Sequence, residues 1–192
     1  QVGSSLEYGK SKSPHKEHFL LKPNSNYARA KKKATNYLLN FYKKKNFPTV
    51  VIRPYQIYGP YQDLNRLIPF VIYNCLKNKK FPCSDGKQHR DFLYVDDFVK
   101  IVFKILINKR YNGEVFNIGF GRACSVKKVI NLIKNITNKG NPDFGKIKLR
   151  KEENLISYPS ILKVKKLIGW EPKINLIEGL SKTIKFYQKE SI

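Results

Sequence analysis

Blocks of helical and strand-like hydrophobic patterning alternate along the chain. From Tyr27 to about Lys45 the apolar residues return at helical spacing on one face, which predicts an amphipathic helix. These residues are Ala30, Ala34, Tyr37, Leu38 and Phe41. Pro48 prevents the helix from continuing, and the mostly β-branched run TVVIRPY that follows predicts a buried strand. The polar residues 10–26, rich in Ser, Lys, Pro and Asn, predict a loop.

The remainder of the chain repeats this alternation. Further strands are predicted at the initial QVGSS, at RDFLYV and at GEVFNIG. Further helices are predicted from about Arg66 to Lys77, from a cap at Asp96 or Asp97 to about Asn108, from a cap at Ser125 to about Thr137, and over about 160–168 and 176–189. The stretch IYGPYQDLN is expected to form turns. Strands alternating with helices at these lengths predict an α/β fold with parallel strand pairing.

Two parts are expected within this fold. Residues 1–62 form the last part of a Rossmann-type, doubly wound parallel sheet. Residues 63–192 form mainly a smaller mixed α/β lobe, although 90–119 partly returns to the first sheet. The glycine-rich phosphate turn with which a Rossmann unit opens, G-x-G-x-x-G or G-x-x-G-x-x-G, does not occur in the sequence. The chain begins with Gln and contains no Met, and no signal-peptide pattern explains this, so we expect a fragment of a longer protein.

The charge balance is strongly basic. The 38 basic and 14 acidic residues give a net charge of +24, which raises the possibility of nucleic-acid binding. The lysine runs are spread along the whole chain, however, and no nucleic-acid-binding motif accompanies them. We therefore favour solvated surface lysines over a nucleic-acid-binding face, and a positive field would also suit an anionic small substrate.

Cysteine and histidine usage predicts no metal site. The three cysteines and three histidines lie far apart, without metal-ligand spacing, and free cysteines fit a reducing, cytoplasmic setting. No apolar run approaches the roughly 20 residues of a membrane-spanning helix, so we expect no membrane partner.

Tyr27 and Lys31 are candidate catalytic residues because they are four positions apart on one predicted helix and so share a face. A phenol is a poor base at neutral pH, but a neighbouring lysine cation favours the phenolate. A serine hydroxyl delivered from an adjacent strand end would complete a proton relay for oxidising an alcohol or reducing a ketone. On a lysine-rich helix a tyrosine and a lysine four positions apart also arise by chance. The surrounding motifs therefore decide whether this pair is interpreted as catalytic.

Six motifs supply that context. GSSLEYG, NSNYARAK, RPYQIYGPYQ, RDFLYVDD, GEVFNIGFG and KKLIGWEPKINLIEGLSKTIKFY follow one another along essentially the whole chain. In this order they resemble the extended short-chain dehydrogenase/reductase family, the NAD-dependent epimerases and dehydratases of nucleotide sugars. The resemblance implies that a glycine-rich cofactor-binding segment precedes this part, and that the cofactor is NAD or NADP.

The resemblance implies roles for individual residues. Ser4, Tyr27 and Lys31 match the catalytic triad, in which Tyr27 is the general acid/base and Lys31 also binds the nicotinamide ribose. Pro54 and Tyr55 match the strand end that lines the nicotinamide pocket. The implied substrate-binding residues are Ser5, Gln56, Arg66, Leu67, Arg90 and Arg150. Guanidinium groups suit diphosphate oxygens, although a buried pair of Arg90 with Asp91 or Asp97 is the structural alternative. Glu7 is expected to be a strand residue that faces away from Ser4.

One departure from the family pattern narrows the expected reaction. The 4,6-dehydratase branch has an Asp-Glu pair directly after the catalytic Ser/Thr, whereas this chain has Ser5 and Leu6, and leucine cannot transfer a proton. The pattern therefore favours a 4-epimerase or a 4-keto reductase of a nucleotide-diphosphate sugar. The stretch FGKIKLRKEENLISYPSILKVKKLIGW resembles the reductases and epimerases of deoxy-sugar nucleotides in polysaccharide biosynthesis, of the CDP-abequose synthase type. Relatives form homodimers through helices such as 27–45, and we expect the same when the protein is full length.

Two alternatives to this enzyme remain. In the first alternative, the chain is a non-catalytic half-enzyme that binds nucleotide sugars by itself. In the second, it is a basic nucleic-acid-binding module. Because the cofactor turn is missing, we expect the isolated chain to be inactive as a catalyst. The nucleic-acid module predicts binding that weakens steeply with salt and does not depend on Tyr27.

Overall fold

Two hydrophobic cores, each associated with its own sheet, organise the chain, of which the computed structural model describes residues 1–149 and 154–190. In the first sheet β1 (Val51–Pro54) pairs in parallel with β5 (Val115–Ile118). The start of the chain runs along the opposite edge of β1. There the Gly3 N–H donates to the Ile52 carbonyl at 2.8 Å, and the Ile52 N–H donates to the Gln1 carbonyl at 3.0 Å. The strands predicted from TVVIRPY and GEVFNIG are confirmed, and QVGSS lies beside them as an extended segment.

The second sheet is built around β4 (His89–Tyr94), the strand predicted from RDFLYV. It pairs in parallel with β2 (Gln56–Tyr58) and β8 (Ile156–Ser157), and antiparallel with β6 (Ala123–Ser125). A small separate pair joins β3 (Lys80–Pro82) to β7 (Asn141–Asp143). Segment 90–119, which was predicted to return partly to the first sheet, therefore contributes to both sheets. Its strand β4 lies in the second sheet and its strand β5 in the first.

The turn predicted for IYGPYQDLN is wrong at its beginning. Ile57 and Tyr58 belong to β2, where they lie opposite Leu93 and Tyr94 of β4. The turn begins only after Tyr58, whose side chain is buried in the second core. A three-residue strand gives too short a sequence signal to outweigh the Gly-Pro pair that follows it.

The predicted helices are all present, with ends within about two residues of their expected positions. They are α1 (Asn26–Lys45), α2 (Leu67–Leu76), α3 (Val95–Leu106), α4 (Val126–Thr137), α5 (Leu162–Ile168) and α6 (Leu176–Lys189). Two short 3-10 helices, Ser5–Tyr8 and Lys109–Tyr111, complete the helical elements of the described chain. The Ser125 cap is confirmed, since its hydroxyl accepts the Lys128 N–H at 3.2 Å. None of the helices in the described ranges is both long and apolar enough to cross a membrane.

The predicted acidic cap of α3 is wrong. The residue before this helix is Tyr94, and no side chain caps the helix there. Asp97 is buried and instead accepts the backbone N–H groups of Lys173 and Ile174, both at 2.8 Å. Its carboxylate therefore fixes the segment that leads into α6. The sequence could not show this, because the two donors lie far away along the chain.

The two cores involve different sets of helices. The first packs α3 and Trp170 against β1 and β5 through Ile52, Ile101 and Phe116. The second packs α2, α4 and α6 together with β4. Its fully or almost fully buried members include Val71, Ile72, Val129, Ile130, Ile133 and Leu180. Because β1 belongs to the first sheet and β2 to the second, the single residue Tyr55 between them marks the passage from one sheet to the other.

Candidate active-site cleft

A cleft of about 790 Å³ opens beside the turn that follows Ser4. It collects the predicted substrate-binding residues Ser5, Gln56, Arg66, Leu67 and Arg90. Arg150, the remaining one, lies outside the described residues. The polar lining that the sequence did not single out includes Asn24, Ser25, Gln62, Asn65, Asn154 and Ser157. Within the described ranges this lining contains two arginines and no Asp or Glu, so an anion would meet donors and positive charge.

Three elements bring the cleft residues together. Gln56 begins β2 and lies opposite Phe92, so it is on the strand next to Arg90 of β4. Arg66 immediately precedes α2, and Leu67 is its first residue. The Nη1 of Arg90 donates to the His89 carbonyl at 2.8 Å, and Arg90 lines the cleft.

Ser4 is held firmly at the start of the 3-10 turn. Its side chain is nearly buried, and its Oγ accepts the Leu6 N–H at 3.1 Å. The Ser4 N–H donates to Glu7 Oε1 at 2.9 Å, so the two residues form a reciprocal capping box. The expectation that Glu7 is a strand residue facing away from Ser4 is wrong. The chain leaves the strand at Ser4, and the turn brings the Glu7 carboxylate back to it.

Gly9 closes this turn in a conformation that requires glycine. Its φ of 55° is positive, and an added Cβ would lie 1.6 Å from the Lys22 carbonyl oxygen. Because Gly9 has no side chain, its backbone can lie close to the backbone of Lys22. The beginning and the end of the loop before α1 thereby come together. Asn154 donates a hydrogen bond to the Gly9 carbonyl, and both residues line the cleft.

Tyr27 lies in the first turn of α1 with 55% of its surface exposed. The Lys31 Nζ lies 5.7 Å from the centre of the Tyr27 ring, which confirms that the two side chains share a face. The same Nζ donates to the Val2 carbonyl at 3.0 Å, on the segment that carries Ser4. Within the described chain, the lining of the cleft does not include Tyr27 or Lys31, but it includes Ser25 and Asn24 just before them.

Pro54 and Tyr55, the predicted cofactor-binding strand end, differ in exposure. Pro54 is half-buried, whereas the Tyr55 side chain is buried and its hydroxyl is 2.8 Å from His15 Nδ1. Burial raises the pKa of the Tyr55 hydroxyl well above its usual value. Its phenol is therefore engaged inside the protein, and it is neutral at physiological pH.

A buried polar network behind Ser4 was not predicted. Arg53 is buried and donates its Nε to Glu7 Oε2 at 3.0 Å and its Nη1 to the Tyr8 hydroxyl at 3.0 Å. The Tyr8 hydroxyl donates to Asn117 Oδ1 at 2.8 Å, and Asn117 Nδ2 donates to the His15 carbonyl at 3.0 Å. The available signal was an arginine inside the apolar run VVIRPY, since a charge in a buried strand needs a partner.

Asp91 receives an unusually complete set of backbone donors. Its carboxylate accepts the N–H groups of Phe120, Gly121 and Arg122 at 2.7, 2.7 and 3.0 Å. Burial nevertheless raises the pKa of Asp91 to about 7, against the opposite effect of these hydrogen bonds. Both Asp91 and Asp97 therefore bind backbone amides.

Metal ligands do not converge at this cleft. In the ranges that the structure describes, no three His, Cys, Asp or Glu side chains are grouped so that they could hold a metal ion. The three cysteines are free thiols, two buried and one half-buried. The chemistry available at the cleft is that of hydroxyl, phenol, ammonium, amide and guanidinium groups.

Comparison with known proteins identifies relatives over the whole chain. The model of the NAD dependent epimerase/dehydratase family matches residues 1–119. The dTDP-D-glucose 4,6-dehydratase of Mus musculus is 31% identical over 195 residues, which cover 97% of this chain and 53% of the mouse protein. The chain thus spans about half the length of the curated relatives it matches.

Solved structures give the same picture. The UDP-glucose 4-epimerase of Thermotoga maritima, solved with UDP-glucose, superposes with a TM-score of 0.92 at 30% identity, covering all of this chain and 63% of the other. The dTDP-glucose 4,6-dehydratase of Bacillus anthracis, solved in complex with NAD, has a TM-score of 0.90 at 30% identity, with 100% and 61% coverage. These matches confirm the predicted Rossmann-type α/β architecture.

Proposed function

The chain belongs to the NAD-dependent epimerase/dehydratase family, and we propose that it is the catalytic and substrate-binding portion of an NAD(P)-dependent nucleotide-sugar 4-epimerase or 4-keto reductase. The observation that carries this proposal is the cleft, which gathers Ser5, Gln56, Arg66 and Arg90 beside the turn that begins at Ser4. Its substrate is a nucleotide-diphosphate sugar, the class of ligand to which the UDP-glucose in the structure of the Thermotoga relative belongs.

The charge of the cleft supports a diphosphate ligand. Arg66 and Arg90 come from different elements, α2 and β4, and both line the cleft. A guanidinium can donate two parallel hydrogen bonds to phosphate oxygens, which fixes both the position and the orientation of the ligand. The amide side chains of Gln56, Gln62 and Asn65 supply further donors and acceptors for ribose, sugar or phosphate oxygens.

The proposed chemistry follows from the three residues next to the cleft. Ser4 orients the sugar oxygen at C4, and Tyr27 removes the proton from that hydroxyl or returns it to the ketone. Lys31 places a positive charge beside the phenol and, by its bond to Val2, holds the helix against the segment that carries Ser4. The exposure of Tyr27 leaves its hydroxyl accessible to a substrate.

The residues present fit the nicotinamide end of NAD or NADP. Tyr27 and Lys31 offer a phenol and an ammonium group for the nicotinamide ribose, and Pro54 offers an apolar ring at the end of β1. When bound, the cofactor accepts or supplies hydride at the sugar carbon. No glycine-rich turn for the pyrophosphate occurs in the sequence, so this chain supplies only one side of the cofactor site.

Two cleft residues favour epimerisation or reduction over dehydration. Ser5 and Leu6 both line the cleft, at the positions where the dehydratase branch carries its Asp-Glu pair, and the Leu6 side chain is 48% exposed. A serine hydroxyl is a poor acid or base at neutral pH, and leucine has no exchangeable side-chain proton. The loss of water needs an acid and a base that these two positions do not provide.

A homodimer through α1 is also proposed for the full-length protein, which we place in the cytoplasm. Tyr37 is 68% exposed on α1, and its ring stacks on that of Phe41, with the ring centres 6.2 Å apart. Phe41 in turn contacts Phe47 at 5.0 Å. A row of partly exposed aromatic rings, here two on α1 and one just after it, is typical of surfaces that pair with another protein.

Calorimetric titration of this chain with UDP-, dTDP-, CDP- and GDP-sugars tests the proposal. We expect saturable 1:1 binding of at least one nucleotide-diphosphate sugar and much weaker binding of the matching sugar 1-phosphate. Binding of an unrelated oligonucleotide that falls steeply with salt, without sugar-nucleotide binding, would favour the nucleic-acid module instead. The product of the complete reading frame should then turn over the bound sugar nucleotide with NAD or NADP, whereas binding without turnover would identify a non-catalytic protein.

A further inference from the structure

We propose that Glu7 is a positioning residue, whose buried carboxylate fixes the three elements carrying the catalytic groups relative to one another. This inference rests on the proposed function, because it concerns the geometry of the same site. Glu7 is fully buried and has no direct place in the hydride chemistry. It must therefore act through the residues that it contacts.

The Glu7 carboxylate accepts three hydrogen bonds from three different parts of the fold. Oε1 accepts the Ser4 N–H at 2.9 Å and the Thr35 hydroxyl at 3.2 Å. Oε2 accepts the Arg53 Nε–H at 3.0 Å. Since a carboxylate is an acceptor only and offers two oxygens, no neutral side chain of this size reproduces all three bonds.

Each of these donors belongs to an element that carries part of the site. Ser4 is the proposed catalytic serine itself. Thr35 lies on α1, one turn after Lys31 and two turns after Tyr27, so its bond holds the helix face that presents them. Arg53 is the residue before Pro54 on β1, the proposed wall of the nicotinamide pocket.

The backbone around Glu7 is shaped to admit the carboxylate. A Cβ added at Gly3 would lie 2.4 Å from Glu7 Oε1 and 3.3 Å from Thr35 Oγ1. The Glu7 carboxylate therefore occupies the space that a side chain at position 3 would need. Its bonds to Ser4 and Thr35 join the Ser4 segment to α1.

Stability alone does not explain this arrangement. A buried ion pair such as Glu7–Arg53 costs desolvation and is often replaceable by apolar residues without loss of stability. The distinguishing feature is that one carboxylate bonds to all three site elements. A displacement of about 1 Å between catalytic groups can lower the rate about a hundredfold, so we expect the loss of one of these bonds to lower the rate as well as the stability.

Substitutions at Thr35 test the proposal in the product of the complete reading frame. Thr35→Val removes only the hydroxyl that joins α1 to Glu7, and Thr35→Ser retains it. We expect Thr35→Val to lower kcat about ten- to a hundredfold, with the KM for the nucleotide sugar nearly unchanged, and Thr35→Ser to restore kcat.

Thr49→Val provides the matched control. Thr49 is also buried, and within the described part of the chain its Oγ1 has no hydrogen-bond partner, so the same substitution there removes no bond. Its kcat should equal that of the unmodified protein. Equal kcat in Thr35→Val and Thr49→Val, or a loss that Thr35→Ser does not restore, would overturn the proposal.

Amide hydrogen exchange on the present chain separates this inference from the proposed function. Glu7→Gln keeps the size of the side chain but presents an NH₂ group or a neutral oxygen to Arg53, and we expect faster exchange at the Ser4 amide and in the early turns of α1. Exchange unchanged at both places contradicts the positioning role, even if the chain binds nucleotide sugars. Faster exchange at both supports it, even if no sugar nucleotide binds and the proposed function fails.

Discussion

Lys31 reaches from the second turn of α1 to the segment that carries Ser4, where its Nζ donates to the Val2 carbonyl at 3.0 Å. The same ammonium group lies 5.7 Å from the centre of the Tyr27 ring. One lysine therefore connects the proposed acid/base to the segment that carries the proposed serine. This contact and the Thr35–Glu7 bond together attach two successive turns of α1 to the Ser4 segment.

Arg90, one of the two arginines that line the cleft, gives the first prediction. Arg90→Ala should weaken the binding of a nucleotide-diphosphate sugar about ten- to a hundredfold, since a charge-assisted hydrogen bond contributes about 1.5–3 kcal/mol. Calorimetric titration measures the change. Lys104→Ala is the control, because it removes one exposed positive charge on α3, outside the cleft. An equal loss in both variants would show that only the net charge matters.

Asp91 gives a prediction about stability. Asp91→Asn should lower the free energy of unfolding by about 1–3 kcal/mol, because an amide has one acceptor oxygen for three backbone N–H donors and its NH₂ group would face one of them. Urea denaturation measures this change in the free energy of unfolding. Asp85→Asn, at a partly exposed site, should change stability by no more than about 0.5 kcal/mol. Equal effects would contradict the anchoring role of Asp91.

His15 gives a prediction about pH. Burial lowers its pKa below the usual 6.5. The Ser11 carbonyl can only accept, so Nε2 carries the proton and Nδ1 accepts the Tyr55 hydroxyl. A histidine with a depressed folded-state pKa contributes stability above its unfolded-state pKa, and that stability is lost as the pH falls through the folded-state pKa.

The unmodified protein should therefore lose more stability between about pH 7.5 and 5 than His15→Gln, which can keep both hydrogen bonds but does not titrate. Urea denaturation at the two pH values measures this difference. Parallel losses in the two proteins would mean that His15 does not contribute to the pH dependence.

The aromatic row on α1 gives a prediction about assembly. The double variant Tyr37→Lys, Phe41→Lys of the complete reading frame should be a monomer in analytical ultracentrifugation, whereas the unmodified protein should be a dimer. Phe103→Lys replaces an aromatic residue on α3 that is 62% exposed, and it should leave the dimer intact. Dissociation by Phe103→Lys alone would place the interface on a different helix.

The sequence predicted the long elements and the cleft better than the polar interior. Helical periodicity identified α1 to α6. The family motifs selected Gln56, Arg66 and Arg90, which line one cleft, and their role in substrate binding stays a prediction. Hydrogen bonds between residues that lie far apart in the sequence were not predicted. The Asp97 bonds to Lys173 and Ile174, and the Glu7 bonds to Thr35 and Arg53, depend on tertiary contacts that leave no periodic signal.

The most direct test of the central claim is the turnover of Tyr27→Phe in the product of the complete reading frame, measured together with nucleotide-sugar binding. The substitution removes only the hydroxyl that exchanges the proton, and the exposed ring is not part of either core. We predict that sugar-nucleotide affinity remains and that conversion of the sugar, followed through the reduced nicotinamide or the epimerised product, is abolished. Turnover at the unmodified rate would contradict the assignment of Tyr27 as the acid/base, and with it the proposed mechanism.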